Sequence, residues 1–175
     1  SEMCIRDRVY PADFQLVLAA NPCACQRVKG QCSCKSPQRA RHLSNVSGPL
    51  KDRLDVFVTT SGDAAVLSPR DAEPSISIAG RVAAARERAA ARWAKAGCNE
   101  DVNGRVPATL IRRHFPATES AMAMLQSELI QGKITQRGVD KCLKLAWTLA
   151  DLEEMDQPDI DHAYRAVEML SLIHI

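Results

Sequence analysis

Four cysteines fall within twelve residues, as Cys23-Ala-Cys25 and Cys32-Ser-Cys34, separated by a six-residue loop that contains Gly30. Structural zinc takes four tetrahedral ligands and favours thiolate sulfur, and a loop of this length can fold back to offer four sulfurs to one ion. The pairs are spaced more tightly than the usual zinc Cys-x2-4-Cys, yet four clustered thiols point to metal before they point to chance. Four thiolates on a divalent ion leave an excess of negative charge, which Arg27, Lys29 and Lys35 would partly offset. A pair of disulfides and an iron–sulfur cluster are the alternatives. A reducing compartment disfavours the first, and iron–sulfur runs are usually spaced more widely. A fully ligated tetrahedral zinc has no open position, so the expected role is structural.

The elements that must hold this knot belong to a chain of 175 residues, room for one ordinary domain or two small ones. Hydrophobic content is 46%, much of it alanine, and aromatics are only 4%, so cohesion must come from aliphatic packing between helices. A net charge of +2 is too small to imply nucleic acid or a membrane by itself. Seven cysteines without a signal peptide point to a reducing, cytoplasmic setting, and no apolar stretch is long enough to span a bilayer. Residues 1–8 and 171–175 read as non-native, adapter-derived sequence and are set aside, Cys4 and His174 with them. On that reading the chain is a piece cut at both ends.

Phe14-Gln-Leu-Val-Leu-Ala-Ala20 is a continuous apolar run closed by Asn21-Pro22 and reads as a buried strand. The cysteine loop follows, and Ser36-Pro37 opens a basic helix over Gln38-Arg39-Ala40-Arg41-His42-Leu43 that Gly48-Pro49 breaks. Leu54-Asp-Val-Phe-Val-Thr-Thr60 reads as a second strand, rich in β-branched residues. Residues 61–79 read as a linker. Helices are then expected over Gly80 to Lys95 with Gly97 as its stop, around Leu110 to Arg113, over Glu119 to Ile130 with Thr118 as N-cap and Gly132 as stop, and over about Thr135 to Glu154. In the last of these Val139, Cys142, Leu143, Ala146, Leu149 and Ala150 share one face. Asp156-Gln157-Pro158 starts a final helix with Ile160, Ala163, Val167 and Leu170 apolar. The expectation is an α/β module over residues 9–60 followed by an all-α bundle over residues 80–170.

Phe14-Gln-Leu-Val-Leu-Ala-Ala-Asn-Pro-Cys-Ala-Cys25 followed by Leu43-Ser-Asn-Val-Ser-Gly-Pro-Leu-Lys-Asp-Arg-Leu-Asp55 resembles the C-terminal half of the magnesium-chelatase-like AAA+ ATPases of the ComM/YifB type. Thr135-Gln-Arg-Gly-Val-Asp-Lys-Cys-Leu-Lys-Leu-Ala-Trp-Thr-Leu-Ala-Asp-Leu152 is similar to that family's lid helix. The resemblance covers nearly all of residues 9–170. It implies the C-terminal part of a P-loop nucleotide domain followed by a helical lid, in a homo-hexameric motor that uses ATP and Mg2+ for DNA helicase and branch-migration work in natural transformation. Under it Asn21 is sensor 1, orienting the attacking water with its amide. Arg53 is the arginine finger reaching a neighbouring subunit's phosphates, and Arg137 is sensor 2, touching ATP phosphate from the lid. The residues alone also allow an Asn-Pro turn at Asn21, an ion pair of Arg53 with Asp52 or Asp55, and a solvated Arg137 at a helix N-terminus, where the dipole disfavours cations.

The family's Cys-Pro-Cys-Gly is Cys23-Ala-Cys25-Gln26 here, with all four thiols kept. No Gly-x4-Gly-Lys-Ser/Thr loop and no apolar run ending in Asp-Glu is present, so this stretch alone is not expected to bind or hydrolyse ATP. Arg27, Lys29, Lys35, Arg39 and Arg41 could contact DNA phosphates, or form a solvated face. Arg81, Arg86, Arg88 and Arg92 with Glu87 read as a solvated helix surface, and Glu153-Glu154 as a helix end. A true magnesium-chelatase ATPase subunit is a second reading, disfavoured by the cysteine pairs. A zinc-stabilised binding module without ATPase activity is a third.

Overall fold

The computed structural model describes residues 14–21, 23, 25, 32–46, 48–59 and 73–170. The chain divides into two compact units, Ser1–Asn45 and Val46–Ile175.

In the first unit, residues 14–21 take no regular secondary structure and precede the cysteines, which are followed by helix α1 (Ser36–Leu43). Pro37 occupies the first turn of α1, where its missing N–H is no loss. The backbone N–H of Lys35 donates to Oε1 of Gln38 (3.1 Å), and Ser44 ends the helix.

The expected α/β module is not what forms. Among the described residues there is no strand and no sheet: the runs read as strands, 14–20 and 54–60, take no regular secondary structure, Thr60 lying outside the described residues. Apolar β-branched sequence favours extension, but a strand exists only when a neighbour supplies the facing N–H and C=O groups. Exposure shows the same thing: Phe14 (71%), Val17 (79%) and Val58 (78%) lie open where a sheet would have covered them.

The second unit is helical: α2 (Gly48–Lys51), α3 (Ser75–Lys95), α4 (Ala108–His114), α5 (Glu119–Ile130), α6 (Gln136–Leu152) and α7 (Ile160–Leu170). Helix α6 is central, packed against α3, α4, α5 and α7. Its start is fixed by Thr135, whose hydroxyl accepts from the backbone N–H of Gly138 (3.1 Å). Its buried face is Val139, Cys142, Leu143, Ala146, Trp147, Leu149 and Ala150, the spacing of one helical stripe. Gly97 and Gly132 take left-handed φ of 70° just past α3 and α5, which a residue without Cβ does freely. Helix α3 starts at Ser75 rather than Gly80, because Pro74 supplies an extended N-cap and Glu73 braces the first turns.

Trp93, Phe115 and Trp147 form an edge-on aromatic trio with ring centroids 5.0 to 6.5 Å apart. Beside it Arg92 lies over both tryptophans, 3.9 Å from the Trp147 centroid and 4.8 Å from that of Trp93. No helix among the described residues is long and apolar enough to cross a membrane.

Candidate metal centre and arginine turn

Cys23 is buried, while Cys25, Cys32 and Cys34 are half-buried, and their Sγ atoms all lie within 4.8 Å of one another. None of the four is in a disulfide, and Cys25 Sγ and Cys32 Sγ lie 3.5 Å apart. Tetrahedral zinc with bonds of ~2.3 Å needs sulfurs ~3.8 Å apart, so small side-chain adjustments would close the set around an ion. The donor chemistry also fits, since four soft sulfurs suit zinc better than magnesium or calcium. Two of the thiols, those of Cys32 and Cys34, resist deprotonation. Hydrogen bonding from Cys23 and then Cys25 pushes the Cys34 thiol up to about 12. Cys32 is raised too; a backbone hydrogen bond near Cys34 opposes the shift, and contacts with the Cys25 and Cys23 thiols outweigh it. A metal ion would reverse this by taking the place of the protons.

Asn21 belongs to the same unit and is exposed; its backbone carbonyl lies 3.0 Å from Nε2 of His42, a bond that ties segment 14–21 to α1. Lys35, Arg39 and Arg41 are exposed on and beside α1. Arg27 and Lys29 lie outside the described residues.

Arg53 and Arg137 belong to the second unit. Arg53 is exposed in the turn after α2, and its Nη1 donates to the Pro49 carbonyl (2.8 Å). The carboxylates expected as its alternative partners pair elsewhere: Asp52 with Arg137 (3.5 Å) and Asp55 with Lys141 (3.3 Å). Arg137 stands in the first turn of α6, more than half exposed. Lys141, one turn further along, donates from Nζ to the carbonyls of Asp52 (2.6 Å) and Leu54 (2.8 Å). The segment is tied again where the Phe57 N–H donates to the Met169 carbonyl at the end of α7 (2.6 Å). A cavity of about 290 Å³ lies between this turn and the start of α6, with Lys51, Lys133, Thr135 and Lys141 on its walls. The structure thus brings the Arg53 turn and the Arg137 helix together through Asp52.

Of the α3 residues expected on a solvated surface, Arg81, Arg86 and Glu87 are exposed, whereas Arg88 and Arg92 turn to partners on other elements. Arg88 donates to the Asp151 carbonyl (2.6 Å) and pairs with the Glu154 carboxylate. Arg92 grips Asp151 with both terminal nitrogens (2.7 and 2.6 Å), and Asn103 donates to the same carboxylate (2.9 Å). Asn103 also accepts from Nε1 of Trp93 (2.9 Å). Asp151 and Asn103 were not singled out from sequence. Leu143, Trp147 and Asp151 follow one another at i, i+4 and i+8, so the aspartate continues a core row and required a buried partner. Glu153 and Glu154 are structural: Glu153 pairs with Arg165, and Glu154, left-handed at φ 62°, with Arg88. Lys141 carried no sequence signal at all, because its acceptors are mostly backbone carbonyls.

Two family models match the chain in succession: magnesium chelatase, subunit ChlI, over residues 4–66, and the ChlI C-terminal region over residues 72–169. The chain is 42% identical over 160 residues to an uncharacterized Mycobacterium tuberculosis protein, covering 90% of this chain and 31% of that one. It is 35% identical to the uncharacterized Escherichia coli protein YifB (95% and 33%). To the Haemophilus influenzae competence protein ComM it is 29% identical (92% and 32%). It therefore spans about a third of the length of these relatives.

Proposed function

This chain belongs to the magnesium chelatase ChlI family, among proteins of ComM/YifB type, and on that premise we propose that it is the C-terminal part of an ATP-driven motor acting on DNA. The observation that carries the reading is the succession of both ChlI regions along one chain, together with a relative that bears the name competence protein. A helicase or branch-migration role, a homo-hexameric assembly and a cytoplasmic location go with this reading.

In that motor Arg53 acts in trans. Its exposed guanidinium enters the neighbouring subunit's site and offsets charge that develops on the transferred phosphoryl group. Arg137 contacts phosphate from the start of α6, and Asn21 orients water from the end of the apolar run. Mg2+, when bound with ATP, neutralises phosphate charge. Zn2+ on Cys23, Cys25, Cys32 and Cys34 is structural and fixes the loop between Asn21 and α1. Lys35, Arg39 and Arg41, with Arg27 and Lys29, supply cations for DNA phosphates.

The test is Arg53→Ala in the full-length ATPase. ATP binding is retained and turnover falls by roughly 10³-fold, the lower end of what an arginine finger contributes. Unchanged turnover returns Arg53 to the role of a turn residue bonded to Pro49.

A further inference from the structure

We propose that Lys141 is a positioning residue for Arg53, and that through it helix α6 sets where the Arg53 guanidinium points. The proposal rests on the reading of Arg53 as the residue that acts in trans.

An exposed arginine on a turn contributes to catalysis only if the turn is held, since a displacement of ~1 Å can lower a rate ~10²-fold. The holding contacts here are specific. An ammonium has three donors, and those of Lys141 meet three acceptors: the carbonyls of Asp52 (2.6 Å) and Leu54 (2.8 Å) and the Asp55 carboxylate (3.3 Å). The Asp52 carbonyl belongs to the peptide plane that precedes Arg53, and the N–H of that plane donates to Leu50 (3.0 Å). The plane that follows Arg53 is held by the Leu54 N–H, bonded to the Lys51 carbonyl (3.1 Å). Lys141 closes this arrangement from outside, by gripping the carbonyls on either side of residue 53. Only 14% of its side chain is exposed, against 76% for Asp55; the bond to the Leu54 carbonyl is partly buried, while the bond to the Asp52 carbonyl and the ion pair lie at the surface.

The second half of the proposal follows from where Lys141 stands. It lies four residues after Arg137, on the same side of α6, and both cations reach residue 52: Lys141 its carbonyl, Arg137 its carboxylate. The Arg137–Asp52 pair is long (3.5 Å) and more than half exposed on both sides, so a phosphate competes for Arg137 easily. When Arg137 turns to phosphate, Lys141 remains as the contact through which a shift of α6 reaches the Arg53 turn. Occupancy at one subunit's phosphate contact is thereby passed to the arginine offered to the next subunit.

The experiment uses the full-length ATPase with Lys141→Met, which keeps the stem and removes the ammonium, and Lys141→Arg, which restores a cation. Lys141→Met is expected to lower kcat by ~10²-fold with KM for ATP within about twofold of wild type, and Lys141→Arg to recover most of the loss. In an Arg53→Ala background Lys141→Met should have no further effect on kcat, because the residue it positions is gone. Hydrogen exchange at the Arg53 and Leu54 amides should quicken in Lys141→Met, while α6 amides keep their protection. A kcat unaffected by Lys141→Met, an additive loss on Arg53→Ala, or unchanged exchange at residues 53 and 54 each overturns the proposal. If Arg53→Ala alone leaves turnover intact, the trans role of Arg53 falls and this proposal with it. If Arg53→Ala is slow and Lys141→Met is not, only this proposal falls.

Discussion

Asp151→Ala tests the packing of the helical unit most directly. The carboxylate is 1% exposed and accepts three hydrogen bonds, two from Arg92 and one from Asn103. Removing it leaves the Arg92 guanidinium, 14% exposed and flanked by two indole rings, with no counter-charge. Breaking one side of a buried ion pair costs about 3–5 kcal/mol, because the remaining charge stays desolvated. Neither partner is exposed enough for solvent screening to reduce that figure much. For a unit of this size, at about 4 °C per kcal/mol, the midpoint should fall by roughly 12–20 °C. Both tryptophans of the chain flank Arg92, so thermal unfolding followed by intrinsic fluorescence reads the site itself. Arg92→Met combined with Asp151→Leu should be milder than Asp151→Ala alone, since it buries no unpaired charge. A midpoint shift under about 4 °C for Asp151→Ala, or strict additivity of Arg92→Met and Asp151→Leu, would refute the buried-pair reasoning.

Two further outcomes are expected. Elemental analysis should find about one zinc per chain, and the double change Cys32→Ser with Cys34→Ser should abolish it; metal that persists excludes the four-thiolate site. Acid should weaken the helical unit through two carboxylates. The Asp159 carboxyl is held below its ordinary value chiefly by the backbone N–H of His162, and that of Glu153 by the Arg165 guanidinium. Both are lowered in the folded state, so their contribution is complete above the ordinary carboxylate range, ~4, and is lost as pH falls through the lowered values. Urea midpoints should accordingly drop below that range, with Asp159→Ala flattening the drop and costing ~1 kcal/mol at neutral pH through loss of the α7 cap. An acid slope identical in Asp159→Ala and wild type would show that the cap carries none of it.

Legibility followed the range of each interaction. The cysteine cluster could be read because its four sulfurs lie within twelve residues, so composition and spacing carry the geometry. Helix α6 could be read because Val139, Cys142, Leu143 and Ala146 repeat at helical period and are all buried. The Arg92–Asp151 pair spans 59 positions and Lys141 reaches back 87 to 89, so neither is encoded in any local window. Backbone carbonyls are the same for every residue type, which hides Lys141 further. The runs at 14–20 and 54–60 carry the preference for extension, but a sheet is a property of several segments together, and preference alone supplies no partner.

Helix α3 joins two environments in one rod. From Ala85 on it has buried positions at Ala85, Ala89 and Trp93, whereas residues 75–83 are all exposed, including Ile76, Ile78 and Val82. Forming the first turn of a helix is the unfavourable step, and the buried half has already taken it. Each outer residue then adds one backbone bond to an existing ladder, with Glu73 bonded to Ser77 and Arg81 at the far end (2.7 Å each). The outer ~15 Å of α3 can therefore fray and re-form turn by turn while Trp93 and Arg92 stay in place. Unwinding there is a local event, and the bundle does not register it.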